Sequence, residues 1–264
     1  MDLGLQGKRA LVTGSTAGIG LATARALAAE GAHVFINGRT AARVEAAVAQ
    51  LRAELPQAQL EGIAADLGSA EGCERMTRQL PEVDVLVNNL GIFEPRPFEQ
   101  IADADWLRFF EVNVLSGVRL ARHYVAGMRA RDWGRIVFVS SESGLNIPTE
   151  MIHYGMTKTA QLAVSRGLAE TLARTGVTVN CVLPGPTASE GVGEFVARMA
   201  AERGMDAAAM EREFFSTARP SSVLQRFASP DEVASLIAYV CSARASATTG
   251  AALRVDGGLV RSIA

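Results

Sequence analysis

The sequence predicts an α/β protein, a doubly wound parallel sheet of about seven strands with helices on both faces. Three observations lead there. Short, near-continuous apolar runs recur along the chain, as strands buried on both faces require. Longer segments with apolar residues at helical spacing separate them, such as LATARALAAEG and RVEAAVAQLRAEL. A length of 264 residues suits one domain with a large core.

The expected strands, in order, are KRALVTG from 8, AHVFING from 32, LEGIAAD from 60, DVLVNN from 84, RIVFVSS from 135, VTVNCVLPG from 177 and ALRVDGG from 252. Gly31 and Gly176 stand just past two helical patterns, where glycine would end a helix. Strand–helix alternation of this kind implies right-handed crossovers. One irregular stretch, about 186–222, interrupts it between the sixth strand and the helix pattern PDEVASLIAYVCSAR. The sequence thus reads as one domain, 1–264, with an excursion.

Composition excludes several classes of function. Charged residues make up 20% and the formal net charge is -2, with no basic stripe for nucleic acid or a membrane surface. No uncharged apolar stretch is long enough to span a bilayer, and the start, MDLGLQGKRALVTG, carries no signal-peptide pattern. Cys73, Cys181 and Cys241 fit no metal spacing, and the histidines form no cluster. A reduced, cytoplasmic setting with no metal is expected.

TGSTAGIG, residues 13–20, follows the first strand and opens the first helix. Glycines there allow a tight turn and close approach of a ligand, and a helix N-terminus attracts a diphosphate. The spacing Gly14-x-x-x-Gly18-x-Gly20 is not the common G-x-G-x-x-G fingerprint, and no lysine follows as in triphosphate-binding loops. The second strand ends INGRT. Gly38 stands where a carboxylate would bind the adenine ribose of NAD, and Arg39 follows, which favours NADP(H) over NAD.

In YGMTK, Tyr154 and Lys158 are four residues apart and share a face if the segment is helical. From KRALVTGSTAGIG to VDGGLV the chain resembles the short-chain dehydrogenase/reductase (SDR) family of Rossmann-type, compact single-domain enzymes. The matches fall in order: the three glycines, Asp66 in AADL, NNLG at 88–91, Asn113 in EVNV, Ser141 in VSSESG, Tyr154 and Lys158, Asn180, PGPT from 184 and VDGG from 255. The resemblance implies a catalytic set of Asn113, Ser141, Tyr154 and Lys158. It also implies cofactor contacts from Gly14, Ser15, Thr16, Gly18, Ile19, Gly20, Arg39, Asp66, Leu67, Asn89, Gly91, Tyr154, Lys158, Pro184, Gly185 and Thr187.

In such a set Tyr154 would exchange a proton with a carbonyl or alcohol oxygen. Lys158 and an oxidised nicotinamide would lower the phenol's pKa, which needs roughly 4 kcal/mol to reach neutrality. Ser141 lies thirteen residues before Tyr154, the family's usual separation, and would hydrogen-bond the same oxygen; alternation points Ser140 the other way. Asn113 would hold a water linked to Lys158. Two departures from the family pattern are Leu90, where alanine is usual and which would narrow the cleft, and the lack of a basic residue at 15–17.

The segment after Pro186 resembles the family's substrate lid, with Phe195, Val196, Met199, Met210, Phe214 and Phe215 forming an apolar face. Glu142, His153 and Phe195 are the expected substrate contacts; His33 and His123 are expected to be structural. The leading function is NADP(H)-dependent reduction of a ketone or oxoacyl carbonyl, or its reverse. The alternatives are 3-oxoacyl thioester reduction, with RARDWGR at 129–135 facing an acidic carrier protein, NAD-dependent alcohol oxidation, and a non-catalytic dinucleotide sensor. A homotetramer or homodimer is expected through helices at 104–130 and 154–174.

Overall fold

Seven parallel strands form one sheet in the order β3-β2-β1-β4-β5-β6-β7 in the computed structural model, which describes residues 2–189, 192–193, 200 and 204–263. The strands are β1 (Arg9–Val12), β2 (His33–Gly38), β3 (Leu60–Ala64), β4 (Val85–Asn88), β5 (Gly134–Val139), β6 (Val177–Pro184) and β7 (Ala252–Val255). Six fall inside an apolar run read from the sequence, and β5 starts one residue before its run, at Gly134. The runs are continuous because both sheet faces are covered. Val85 and Val87 of β4 point into one core layer, and Leu86 between them into the other.

The long helices with fully described bounds are α1 (Gly18–Ala29), α2 (Ala41–Glu54), α3 (Ala70–Gln79), α4 (Asp103–Phe110), α5 (Ser116–Ala130), α6 (Ile152–Thr171), α7 (Ala207–Thr217) and α8 (Pro230–Cys241). One core layer lies under α1, α2 and α8, with Leu27, Leu51 and Ile237 fully buried. The other lies under α3, α5 and α6, with Met76, Leu120 and Met128. Helix α8 starts on a capping box in which Ser229 accepts from the Glu232 amide and the Glu232 carboxylate accepts from the Ser229 amide, with Pro230 in the first turn.

Two features bend this frame toward its functional end. The expected helix over 104–130 is α4 and α5 joined by a π-helical turn, Glu111–Leu115, which widens the helix at the buried Asn113. Gly117 lets α5 seat on the sheet: a Cβ there would lie 2.8 Å from the Phe138 ring. Gly31 ends α1 with φ +82°, as expected. Gly176 does not end α6. The helix stops at Thr171, and Arg174 takes the left-handed conformation with φ 66°. Gly176 is glycine because a Cβ would fall 2.0 Å from the Asp132 carbonyl oxygen, where the loop before β5 crosses the loop before β6.

Arg135, expected in a basic surface turn, is 2% exposed. Its guanidinium donates to the carbonyls of Ser242, Gly134 and Gly176 and stacks over Trp133. Arg129 and Arg131 likewise donate to the carbonyls of Thr171 and Val83. The stretch therefore braces loops with its charges. No helix among the described residues is long and apolar enough to cross a membrane, and no group of His, Cys, Asp and Glu among them is arranged to hold a metal.

Gly176→Ala is expected to destabilise the fold by about 1–3 kcal/mol, since the new methyl meets backbone and not a flexible side chain. Guanidinium denaturation measures this, and an unchanged midpoint would show that the Asp132 crossing yields at no cost.

Candidate active site

The strand order reverses between β1 and β4, so the loops leaving their C-terminal ends diverge and open a crevice there. A cavity of about 520 Å³ occupies this end. Its walls come from the glycine turn after β1, the loops after β4, β5 and β6, the start of α6 and the end of α7.

The glycine turn is built to bring backbone to the surface. Gly14 and Gly18 have φ of +59° and +55°, and a Cβ on Gly20 would lie 2.5 Å from the Gly14 carbonyl. Asn89 clamps the turn to β4, donating from Nδ2 to the carbonyls of Thr13 and Gly14. Ala17, the residue capping α1, offers no side-chain bond to the helix amides, and Gly18, Ile19 and Gly20 line the cavity. The first-turn amides therefore point at it with the positive end of the helix dipole, as a diphosphate needs. This cradle fits a nicotinamide dinucleotide.

Several residues expected at the cofactor serve the turn instead. Ser15 is fully buried; its hydroxyl donates to the Val12 carbonyl and accepts from the Asn37 amide. Leu67 is buried in the core under α3, so its side chain meets no ligand. Thr16 packs against Gly38, where a Cβ would come within 2.6 Å of its methyl. The absence of a carboxylate at 38 thus has a steric cause. Arg39 and Asp66 are exposed, and neither lines the cavity; Asp66 accepts from the Gly68 amide. Gly91, Pro184, Gly185 and Thr187 do line it. Leu90 does not narrow the cleft, because its side chain packs against the core below.

Ser141, Tyr154 and Lys158 converge on this cavity. Helix α6 presents Tyr154 and Lys158 on one face, with Nζ 5.6 Å from the tyrosine ring centroid. Lys158 is 4% exposed and donates to the Val139 carbonyl at 2.9 Å, which fixes the ammonium over the end of β5. Ser140 is spent on the Lys158 carbonyl, whereas the Ser141 hydroxyl lines the cavity beside Tyr154.

Asn113 does not line the cavity. Its Oδ1 accepts from the Ile92 amide and its Nδ2 donates to the Ile92 carbonyl and Thr157. The link from Asn113 to Lys158 runs through Gln161, a residue the sequence did not single out. Gln161 Nε2 donates to the Asn113 carbonyl at 2.5 Å, and Oε1 accepts from Lys158 Nζ at 3.4 Å.

Burial dominates the electrostatics of the Tyr154 and Lys158 pair. Burial pulls the Lys158 ammonium down to about 8, with Cys181 and Glu142 opposing. Burial also pushes the Tyr154 phenol above its ordinary value, and the Glu142 carboxylate pushes the same way; Ser141 and Arg219 oppose them. The side chains alone therefore hold Tyr154 protonated at neutral pH. The Lys158 ammonium is held on the Val139 carbonyl, 5.6 Å from the ring centroid, and is not among the groups that shift the phenol.

Glu142 lines the cavity and is 4% exposed. Its Oε2 accepts from the hydroxyls of Ser141 and Ser143, each at 2.5 Å. Its Oε1 lies 3.5 Å from Arg219 Nε, and Arg219 also donates to Glu150 at 3.0 Å. Arg219 and Glu150 carry no local motif, so only the fold could pair them with Glu142. His153 is not at the cavity. It is 1% exposed, packed at a tilt against Phe109 with ring centroids 4.0 Å apart, and burial lowers its pKa. Adjacent residues on a helix point apart, and His153 takes the core side. Of the lid face, Phe214 lines the cavity and stacks on Phe227, while Met210 and Phe215 are buried. Phe195, Val196 and Met199 lie outside the described residues.

Residues 8–195 match the family model for short chain dehydrogenase. The chain is 48% identical over the full length of both chains to the uncharacterized oxidoreductase YvaG of Bacillus subtilis. It is 34% identical to the 3-oxoacyl-acyl-carrier-protein reductase of Aquifex aeolicus, covering 98% of this chain and all of that one. Among solved structures, the L-sorbose reductase of Gluconobacter frateurii, complexed with NADPH and L-sorbose, superposes with a TM-score of 0.92 at 32% identity, each chain fully covered. A Rossmann-like sheet, a diphosphate cradle and a family match over most of the length agree: the chain belongs to the short-chain dehydrogenase family and is an NAD(P)-dependent oxidoreductase.

Proposed function

We propose that this protein is an NADP(H)-dependent reductase of a ketone or oxoacyl carbonyl, also running as the alcohol dehydrogenase, with Tyr154 as general acid and base. The observation that carries the reading is the convergence of Ser141, Tyr154 and Lys158 on one cavity beside the glycine turn. The bound nicotinamide would supply the hydride. Ser141 and Tyr154 would hold the carbonyl oxygen between two hydroxyl donors, so that charge developing on it is met by fixed dipoles. Tyr154, protonated at neutral pH, would give its proton to that oxygen in reduction. Lys158, Gln161 and the Asn113 carbonyl would hold the base of the site rigid from behind. Arg39, exposed beyond Gly38, would meet the adenosine 2′-phosphate, and NADPH in the sorbose reductase complex is consistent with this. Reduction of a thioester on a carrier protein is less well supported, because the arginines of 129–135 are engaged with loop carbonyls. Exposed Leu107 and Phe110 on α4 would join protomers into a dimer or tetramer.

Tyr154→Phe is expected to cut kcat by about a hundredfold or more while NADPH binding, followed by nicotinamide fluorescence, stays unchanged. Undiminished turnover would sink the mechanism and favour a cofactor-binding protein of another kind.

Arg39→Ala is expected to weaken NADPH binding by about tenfold, the worth of one charge-assisted contact, and to leave NADH binding as it was. Unchanged NADPH affinity in Arg39→Ala would assign the preference elsewhere, and equal affinity of the unaltered protein for both cofactors would remove it.

In alcohol oxidation Tyr154 must first lose its proton. Arg219 holds the phenol down and Glu142 holds it up. Arg219→Met should therefore move the rising limb of the kcat/KM profile to higher pH, and Glu142→Gln should move it to lower pH. Displacement of both limbs in the same direction would contradict this arrangement.

A further inference from the structure

The Ser141 hydroxyl has one proton, and in this structure it goes to Glu142 Oε2. The proposed reaction needs that proton on the carbonyl oxygen of the substrate. When Ser141 turns to the substrate, Oε2 keeps the Ser143 hydroxyl and loses a donor. At 4% exposure, with Ser143 at 3%, bulk water has little access to replace it. A buried carboxylate oxygen short of a donor is costly, and the cost falls on the reacting complex.

We propose that the substrate itself supplies the missing donor, and that Glu142 selects carbonyl compounds bearing a hydroxyl on the carbon next to the reacting carbonyl. This rests on the reductase reading above. Geometry sets the position of the hydroxyl. Oε2 lies 2.5 Å from Ser141 Oγ. A carbonyl oxygen bonded to Ser141 is then within about 5 Å of Oε2. An oxygen on the neighbouring carbon bridges that gap, accepting no new partner and donating to Oε2. The product of reduction is a vicinal diol, and oxidation runs from such a diol.

The charges around the site favour a neutral donor over an ionic group. Glu142 already faces Arg219, so an ammonium would find its partner taken and a guanidinium close by. Arg219 serves both Glu142 and Glu150, so a substrate carboxylate would meet two negative groups around one positive. A hydroxyl requires no change in the charge of the network. Aromatic and apolar side chains of Phe93, Met151, Phe214 and Phe227 line the rest of the cavity and would take the carbon skeleton.

The test compares kcat/KM with NADPH for hydroxyacetone, butanone and methoxyacetone. Butanone replaces the hydroxyl by a methyl group of similar size; methoxyacetone keeps the electron-withdrawing oxygen and removes the donor. Hydroxyacetone should be preferred over both by about tenfold or more, the worth of one hydrogen bond to a buried charge. In Glu142→Gln, with folding checked by NADPH binding, the preference should shrink to within about threefold. No preference in the unaltered protein, or a preference untouched in Glu142→Gln, would overturn the inference. Tyr154-dependent reduction of plain ketones or oxoacyl thioesters, with hydroxyacetone left untouched, would overturn it and leave the reductase reading standing. Failure to reduce any carbonyl while NADPH binds would remove that reading and this inference together.

Discussion

The parallel pairing of β1 with β4 is the constraint on which the site depends. β1 pairs with β2 on one side and β4 on the other, and the chain must cross from one flank of the sheet to the other to make the second pair. That crossing separates the loops after β1 and β4 and opens the crevice. Asn89 leaves β4 beside the turn that leaves β1, which is why a single amide can hold the glycine turn open. Register then does the rest. Val139 at the end of β5 offers its carbonyl to Lys158, and Pro184 at the end of β6 brings the next wall of the cavity.

Helix α6 works because both of its sides are engaged. His153 and Gln161 are buried, while Tyr154 faces the cavity. The π-turn before α5 puts the Asn113 carbonyl where Gln161 can bond it, and Gln161 in turn reaches Lys158. A lysine that loses water on burial needs such partners, and burial still lowers its pKa, with Cys181 and Glu142 opposing.

The buried charges at the mouth of the cavity follow the same accounting. Glu142 is tolerated because two hydroxyls and Arg219 satisfy it, and Arg219 is tolerated because it has two carboxylates. Arg219 follows α7 and Glu142 follows β5, so this network ties the cover of the cavity to its floor. Burial raises the Tyr154 phenol most, and Glu142 and Arg219 of that network push it in opposite directions.

The sequence by itself determined the sheet, its seven strands and the glycine turn, because periodicity and glycine placement act on a residue's own segment. It also placed Tyr154 and Lys158 together, since helical spacing is local. The tertiary structure decided the rest. It buried Arg135 and Glu142, turned His153 into the core, gave Gly176 to a loop crossing, and set Gln161 between Asn113 and Lys158. Arg219 met Glu142 only because the chain folds back over the cavity. The physical reason is common to all of these. Burial and charge pairing depend on which distant segments meet, and a short stretch of sequence carries no record of its neighbours in space.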